Sequence, residues 1–169
     1  GISFTLTQLN QAGALVHVYN DGSVKINHGG TEMGQGLFQK VAQVAAHIFG
    51  IPIKKVQITA TDTAKVPNTS ATAASSGSDL NGMAVKEACD IICARISSYF
   101  IEKYRPNTND VKFEDGRVRG SNFDISFKDA VYEIYTQRIS LSSTGFYKTP
   151  DLQWDRIKGK GRPFYYFAY

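Results

Sequence analysis

The sequence predicts an α/β or α+β domain with a mixed β-sheet and two main helices packed on it. Three observations carry this. Two β-rich runs, Ala14–Tyr19 and Ser23–Asn27, meet through Asn20-Asp21-Gly22, and Asp-Gly between such runs signals a hairpin. A strand pattern, a helix pattern and a second strand pattern then follow in order between Ser23 and Thr61, which is the grammar of an α/β layer. A long helical pattern runs from about Asp79 to Tyr104, closed by Pro106.

The remaining elements follow from local patterning. Ile2 to Leu6 alternates apolar and polar residues and reads as a strand. A helix over about Gln35–Phe49 aligns Leu37, Val41, Val44, Ala45 and Ile48 in one stripe. Gly50 ends it and Pro52 prevents resumption. Lys55–Thr61 reads as a strand. The long helix is expected to bury Leu80, Met83, Ala84, Ala88, Ile91, Ile92 and Ile96. Asp115-Gly116 turns a small hairpin between Val111–Phe113 and Arg117–Arg119. Phe123–Phe127 precedes a short helix, Phe127–Tyr135, and Ile139–Ser143 reads as a further strand. His17 is placed on the face of the first hairpin.

Composition narrows the function classes. The chain has 169 residues, one domain's worth, and is 42% hydrophobic and 20% charged, enough to bury a core. The net charge of +4 is modest, and five basic residues against two acidic ones between Lys148 and Arg162 form no dense basic face. A nucleic-acid partner is not expected. Cys89 and Cys93 lie four apart among Ala88, Ile91, Ile92 and Ala94, as small core residues do. A disulfide framework would need more cysteines and a secretory signal. No apolar run approaches the roughly 20 residues of a transmembrane helix. No membrane contact and a cytoplasmic location are the expectation. Both ends read as truncated: Ile2–Thr7 begins in a strand pattern, and Phe164–Tyr169 (FYYFAY) stops within one.

Two stretches of small residues stand out. Thr63–Gly82, TAKVPNTSATAASSGSDLNG, joins a strand run to the long helix and leaves about 16 residues without periodicity, a length usually functional when ordered. Small side chains let a backbone approach a ligand closely. Ser75, Ser76 and Ser78 offer hydroxyls where a helix start leaves N–H groups free and favours an anion such as phosphate. The alternative is an ordinary cap, with Ser76 or Ser78 closing the helix and binding nothing. His28–Gly36, HGGTEMGQG, also joins a strand to a helix, so two small-residue helix starts are expected to face one anionic ligand. Gly34-Gln35-Gly36 is not followed by the third glycine of a dinucleotide fingerprint, and no phosphate-loop Lys-Ser/Thr is present.

GGTEMGQG, then VPNTSATAASSGSDLNG, then TGFYKTPDL, in this order and spacing, resemble the molybdenum-cofactor domain of the xanthine dehydrogenase family. The opening GISFTLTQLNQAGALVHVYNDGSV resembles it too, and the likeness spans essentially the whole chain. Aldehyde oxidases share much of the pattern. The resemblance implies one partial molybdenum-cofactor-binding domain over residues 1–169 and a role in purine hydroxylation, hypoxanthine and xanthine to urate. The molybdenum is carried by molybdopterin, so the protein supplies no metal ligand, and no His/Cys/Asp cluster stands at metal spacing. By resemblance, Gly34, Gln35 and Gly36 lie against the pterin. Ala73 and Ala74 flank the substrate ring. Ser75, Ser76, Gly77 and Ser78 hold the phosphate end, and Asp79 caps or orients the helix.

The same resemblance places much of the enzyme elsewhere. Phe38 stands where many relatives have His. No catalytic residue is expected here, because the family's glutamate base lies beyond the end of this chain, its substrate-positioning Arg and Glu lie before the start, and Glu32 does not match the base. The isolated chain is expected to be inactive and to lack the cofactor. The parent is expected to carry a 2Fe-2S centre and FAD, to be a homo-oligomer, and to have the remainder of the enzyme and a small purine as this segment's partners. A non-catalytic binding module that kept the fold is the reading from a different class.

Overall fold

The structure, a computed structural model, describes residues 10–73, 76–108, 110–150 and 153–162. The expected strands at Ile2–Leu6 and Phe164–Tyr169 lie outside them.

β1 (Gln11–Val18) and β2 (Val24–His28) form the expected antiparallel hairpin, with Val18 opposite Val24. Asp21 Oδ1 accepts the Ser23 N–H at 2.9 Å and Gly22 takes φ 79°, so the Asp-Gly pair turns the chain as its chemistry predicts. α1 (Leu37–Ile48) carries the chain over to β3 (Val56–Ile58), which lies parallel to β2. β7 (Ser142–Lys148) pairs with the other side of β1. The sheet order is β3-β2-β1-β7, with β2-β1 and β1-β7 antiparallel and β3-β2 parallel, hence mixed.

α2 (Gly77–Tyr104) lies across this sheet against β7 and β1, and α1 packs beside it. Ala12, Ala14, Val16 and Val18, every second residue of β1, are buried toward the helices. Gly145 sets how close α2 and β7 come: a Cβ there would lie 2.1 Å from the Ala84 carbonyl oxygen. A second, three-stranded sheet, β4 (Lys112–Glu114), β5 (Arg117–Gly120) and β6 (Phe123–Ser126), carries α3 (Phe127–Thr136). A small hairpin, β8 (Gln153–Asp155) with β9 (Lys160–Arg162), follows. The α+β class, the mixed sheet and its two principal helices match the sequence expectation.

Four expectations are corrected. Met83 and Ile91 are exposed, at 39% and 36%. The buried face runs through Ala84, Ala88, Ile92, Ile96 and Phe100 at four-residue steps, and Met83 and Ile91 fall beside Glu87 and Ala94 on the outer stripe. The strand expected at Ile139–Ser143 begins at Ser142 instead. Arg138 takes φ 58° and the Ile139 N–H reaches back to the Ile134 carbonyl, so Ile139 closes α3. α1 begins at Leu37, not Gln35, because Gly34 and Gly36 take φ 98° and 73°. α2 begins two residues early, at Gly77, so Ser78 lies inside the helix. The C-terminus of α1 is as expected: Gly50 at φ 62° lets Ile51 N–H reach Ala46 C=O and Gly50 N–H reach His47 C=O.

Candidate functional site

The two small-residue stretches meet at one end of the sheet. β2 delivers His28-Gly29-Gly30, and the chain then crosses to α1. The segment after β3 returns over the same strand ends. Thr61 Oγ1 donates to the Gly30 carbonyl at 3.0 Å, and the Thr31 N–H donates to Thr72 Oγ1 at 2.8 Å. Further along, Ser70 N–H bonds Gln11 C=O at 2.9 Å and Gln11 N–H bonds Ser70 Oγ at 3.1 Å. Gly29 and Gly30 make this overlap possible: a Cβ on Gly29 would be 2.7 Å from Thr69, and on Gly30 2.6 Å from Asn81.

The helix starts are neighbours. A Cβ on Gly77, the first residue of α2, would be 3.5 Å from Thr72 and 3.7 Å from Leu37, the first residue of α1. The two ends differ in chemistry. At α1 the Glu32 carboxylate already accepts the N–H groups of Gly34 at 2.9 Å, Gly36 at 3.0 Å and Phe38 at 3.0 Å. These bonds, with Phe38 the largest influence, hold Glu32 below the ordinary carboxylate range. An internal anion therefore sits where a ligand anion was expected. The sequence signal was present: a Glu four residues before Gly36 reaches forward to the helix start, the opposite sense to a capping-box Glu, which reaches back from N3.

Gln35 is committed as well, its Nε2 donating to the Thr31 carbonyl at 2.9 Å and its Oε1 accepting the Met33 N–H. Gly34 and Gly36 have nothing within 4 Å of their Cβ positions and line an open, exposed loop surface, so a flat ligand can lie directly on their backbone.

At α2 the first three N–H groups, of Gly77, Ser78 and Asp79, have no carbonyl partner within the helix, while Leu80 N–H closes on Ser76 C=O at 3.0 Å. Ser76 does not cap by its side chain; its buried hydroxyl donates to the Ala73 carbonyl at 3.1 Å. Ser78 is exposed in the first turn and Ala73 is exposed before it. Ala74 and Ser75 lie outside the described residues. Asp79 is half-buried, and burial raises its carboxyl above the usual range, the direction that lessens its opposition to an anion nearby.

His28 and Asn81 lie beneath both loops and were not singled out as site residues. His28 Nδ1 accepts the Gly30 N–H at 3.0 Å, and burial pushes the imidazole down to about 4, against a smaller opposing effect of Asn81. Its ring meets Phe38 edge-on with centroids 5.3 Å apart. The signal was the polar residue ending a buried strand. Among the described residues no group of three or more His, Cys, Asp or Glu is arranged to hold a metal ion.

The residues fit a pterin cofactor in a specific way. The α2 end fits its phosphate, and the bare Gly34–Gly36 backbone fits the ring system. The α1 N–H groups do not fit an anion.

Comparison with known proteins gives the family of the chain. Residues 1–169 match the family described as molybdopterin cofactor-binding domain. The chain is similar to a xanthine dehydrogenase/oxidase of Mus musculus, 49% identical over 169 residues, and to a xanthine dehydrogenase of Oryza sativa subsp. japonica, 50% identical over 169 residues. Each match covers 100% of this chain and 11% of the relative. The chain thus spans about a tenth of the length of these curated relatives. Its fold is similar to quinoline 2-oxidoreductase from Pseudomonas putida 86, with a TM-score of 0.76 at 21% identity over 90% of this chain and 22% of that one. It is similar also to a Cu,Mo-CO dehydrogenase, with a TM-score of 0.74 at 21% identity over 84% of this chain and 19% of that one.

Proposed function

This chain belongs to the molybdopterin cofactor-binding domain family, and on that premise we propose that it is the part of a xanthine dehydrogenase-like oxidoreductase that seats the molybdenum–molybdopterin cofactor. The observation that carries the reading is the junction of the two loops, Thr31 N–H on Thr72 Oγ1 at 2.8 Å, which ties the segment leading into α2 to the segment leading into the Gly34–Gly36 turn.

The cofactor, when bound, supplies the oxidative hydroxylation of an electron-poor ring carbon. The chain's own residues bind and orient. The N–H groups of Gly77, Ser78 and Asp79 hold the phosphate end, with the Ser78 hydroxyl beside them. The Gly34 and Gly36 backbone lies against the pterin. Glu32 and Gln35 act from behind, holding the glycine loop in its left-handed turns. Ala73 and Ala74 leave room for a flat substrate ring. A purine substrate is favoured, given 45% or higher identity to xanthine dehydrogenases from several species. Aldehyde oxidation is the second reading, on the shared motif pattern alone. The 2Fe-2S centre, FAD and the catalytic base belong, on this reading, to the rest of the parent enzyme, and the isolated segment is inactive.

The test is the molybdenum and oxidised-pterin content of the purified protein, by metal analysis and fluorescence. Cofactor close to one per chain supports the seat. Cofactor absent from this chain and also from its parent enzyme overturns it.

A further inference from the structure

His28 and Asn81 are almost wholly buried, at 1% and 2% exposure, and each has one bonded polar atom and one without a partner. His28 Nδ1 accepts the Gly30 N–H. A ring nitrogen that accepts carries no proton, so the neutral imidazole carries it on Nε2. Asn81 Nδ2 donates to the Gly77 carbonyl at 2.8 Å, leaving Oδ1 an acceptor. The two remaining atoms are therefore a donor and an acceptor, His28 Nε2–H and Asn81 Oδ1. Asn81 raises the imidazole pKa against the larger effect of burial, and no charged group contributes. Among the described residues the groups that face His28 are uncharged: Phe38 of α1 and Asn81 of α2 at the ring, and Thr61, from the loop after β3, on the backbone carbonyl.

Neither atom tolerates isolation, since an unpaired buried polar group is costly. Directional bonds at this point do what apolar packing cannot: they fix one distance and one rotation between elements. Gly30 is part of the device, because any larger residue would displace the Asn81 amide, 2.6 Å from its Cβ position.

We propose that His28 and Asn81 are positioning residues for the cofactor loops, and that their two unpaired atoms close on each other as an Nε2–H···Oδ1 bond, making one buried relay. The relay runs from the Gly30 N–H through the imidazole and the amide to the Gly77 carbonyl. It ties the strand end that launches the glycine loop to the first turn of α2. The cofactor part of this role rests on the function proposed above; the relay itself does not.

Long-range nitrogen–proton NMR of His28 in the full chain decides the relay without any cofactor. The expected signature is an Nε2–H tautomer, neutral from pH 5 to 8. In Asn81→Asp the new carboxylate faces Nε2, and the imidazole pKa is expected to climb into or above the ordinary histidine range. An Nδ1–H tautomer, or an unmoved pKa in Asn81→Asp, overturns the relay. For the cofactor role, pterin retention is compared between wild type and Asn81→Leu in the parent enzyme. The expected result is a loss of about tenfold with the helix signal intact, and retention in Asn81→Asp that varies with pH along the His28 titration. Unchanged retention in a folded Asn81→Leu overturns the positioning role. Wild-type parent without pterin overturns the function reading and this role together, leaving the tautomer to decide the relay.

Discussion

The Glu32 carboxylate accepts the backbone N–H of Phe38 at 3.0 Å, six residues onward, and so closes the start of α1 from within its own loop. Its other oxygen takes Gly34 and Gly36. Replacing Glu32 by Ala is expected to speed amide hydrogen exchange at Gly34, Gly36 and Phe38 while leaving α2 unchanged. The Glu32 pKa is lowered by folding, so this protection is complete above the ordinary carboxylate range and is lost as acid passes through the lowered value. Exchange rates indifferent to the substitution contradict the cap.

Ser78 offers a way to separate fold from function. Ser78→Asp places a negative charge in the first turn of α2, where the helix dipole favours it. The melting temperature is expected to hold or rise slightly. Cofactor retention is expected to fall by roughly an order of magnitude, because the new charge meets the cofactor phosphate. Equal retention in variant and wild type argues that the phosphate sits elsewhere.

Gly145 and Gly50 are sites where backbone meets backbone. A Cβ on Gly145 would stand 2.1 Å from Ala84 O and 2.7 Å from Ala88 N, and one on Gly50 2.5 Å from the Phe113 backbone. Alanine at either is expected to destabilise by about 1–3 kcal/mol or more through overpacking, read by chemical denaturation. Gly36→Ala, with open space but φ 73°, is expected to cost only the left-handed strain, about 1–2 kcal/mol. A reversed ranking would count against the packing described.

His28 makes stability depend on pH. Its pKa is about 4 when folded and about 6.5 in an unfolded chain. The unfolded state therefore binds the extra proton between these values. Stability is full above about pH 6.5 and falls toward pH 4, by about 3 kcal/mol in all. The comparison of denaturation midpoints at pH 7 and pH 4.5 in wild type and His28→Gln checks this; equal pH slopes in the two proteins would falsify it.

Cys89 and Cys93 are free, with Cys89 buried and its thiol pushed well above the ordinary range by burial, while Cys93 is pushed up to about 12. Thiolate is the reactive form. Neither is expected to react with a thiol reagent at pH 8 in the folded protein, and both are expected to react in denaturant. Rapid labelling of native protein would place them outside the core.

Much of the architecture was legible because its determinants are local. Asp21-Gly22 codes a turn, Gly50 a helix stop, and the Leu37–Val41–Ala45 spacing a buried stripe, each from a few adjacent residues. The edges of elements were less so. Ser142–Lys148 contains Gly145, which carries no strand preference of its own and is required only because α2 lies against it. Met83 and Ile91 are apolar, yet the face they occupy is set by where the sheet and α1 lie, not by their hydropathy.

The candidate site divides in the same way. Its ingredients, small residues at two helix starts, were legible in the sequence alone, since they are local to HGGTEMGQG and TAASSGSD. Which start is free to take an anion was decided by tertiary structure. Glu32 fills one through its own loop, while the N–H groups of Gly77, Ser78 and Asp79 at the start of α2 have no carbonyl partner within the helix. His28 and Asn81, 53 residues apart by their numbers, come together only when β2 ends beneath α2. The bond proposed between them needs two atoms within about 3 Å, and no pattern along the chain encodes such an approach; the packing of the helices on the sheet does.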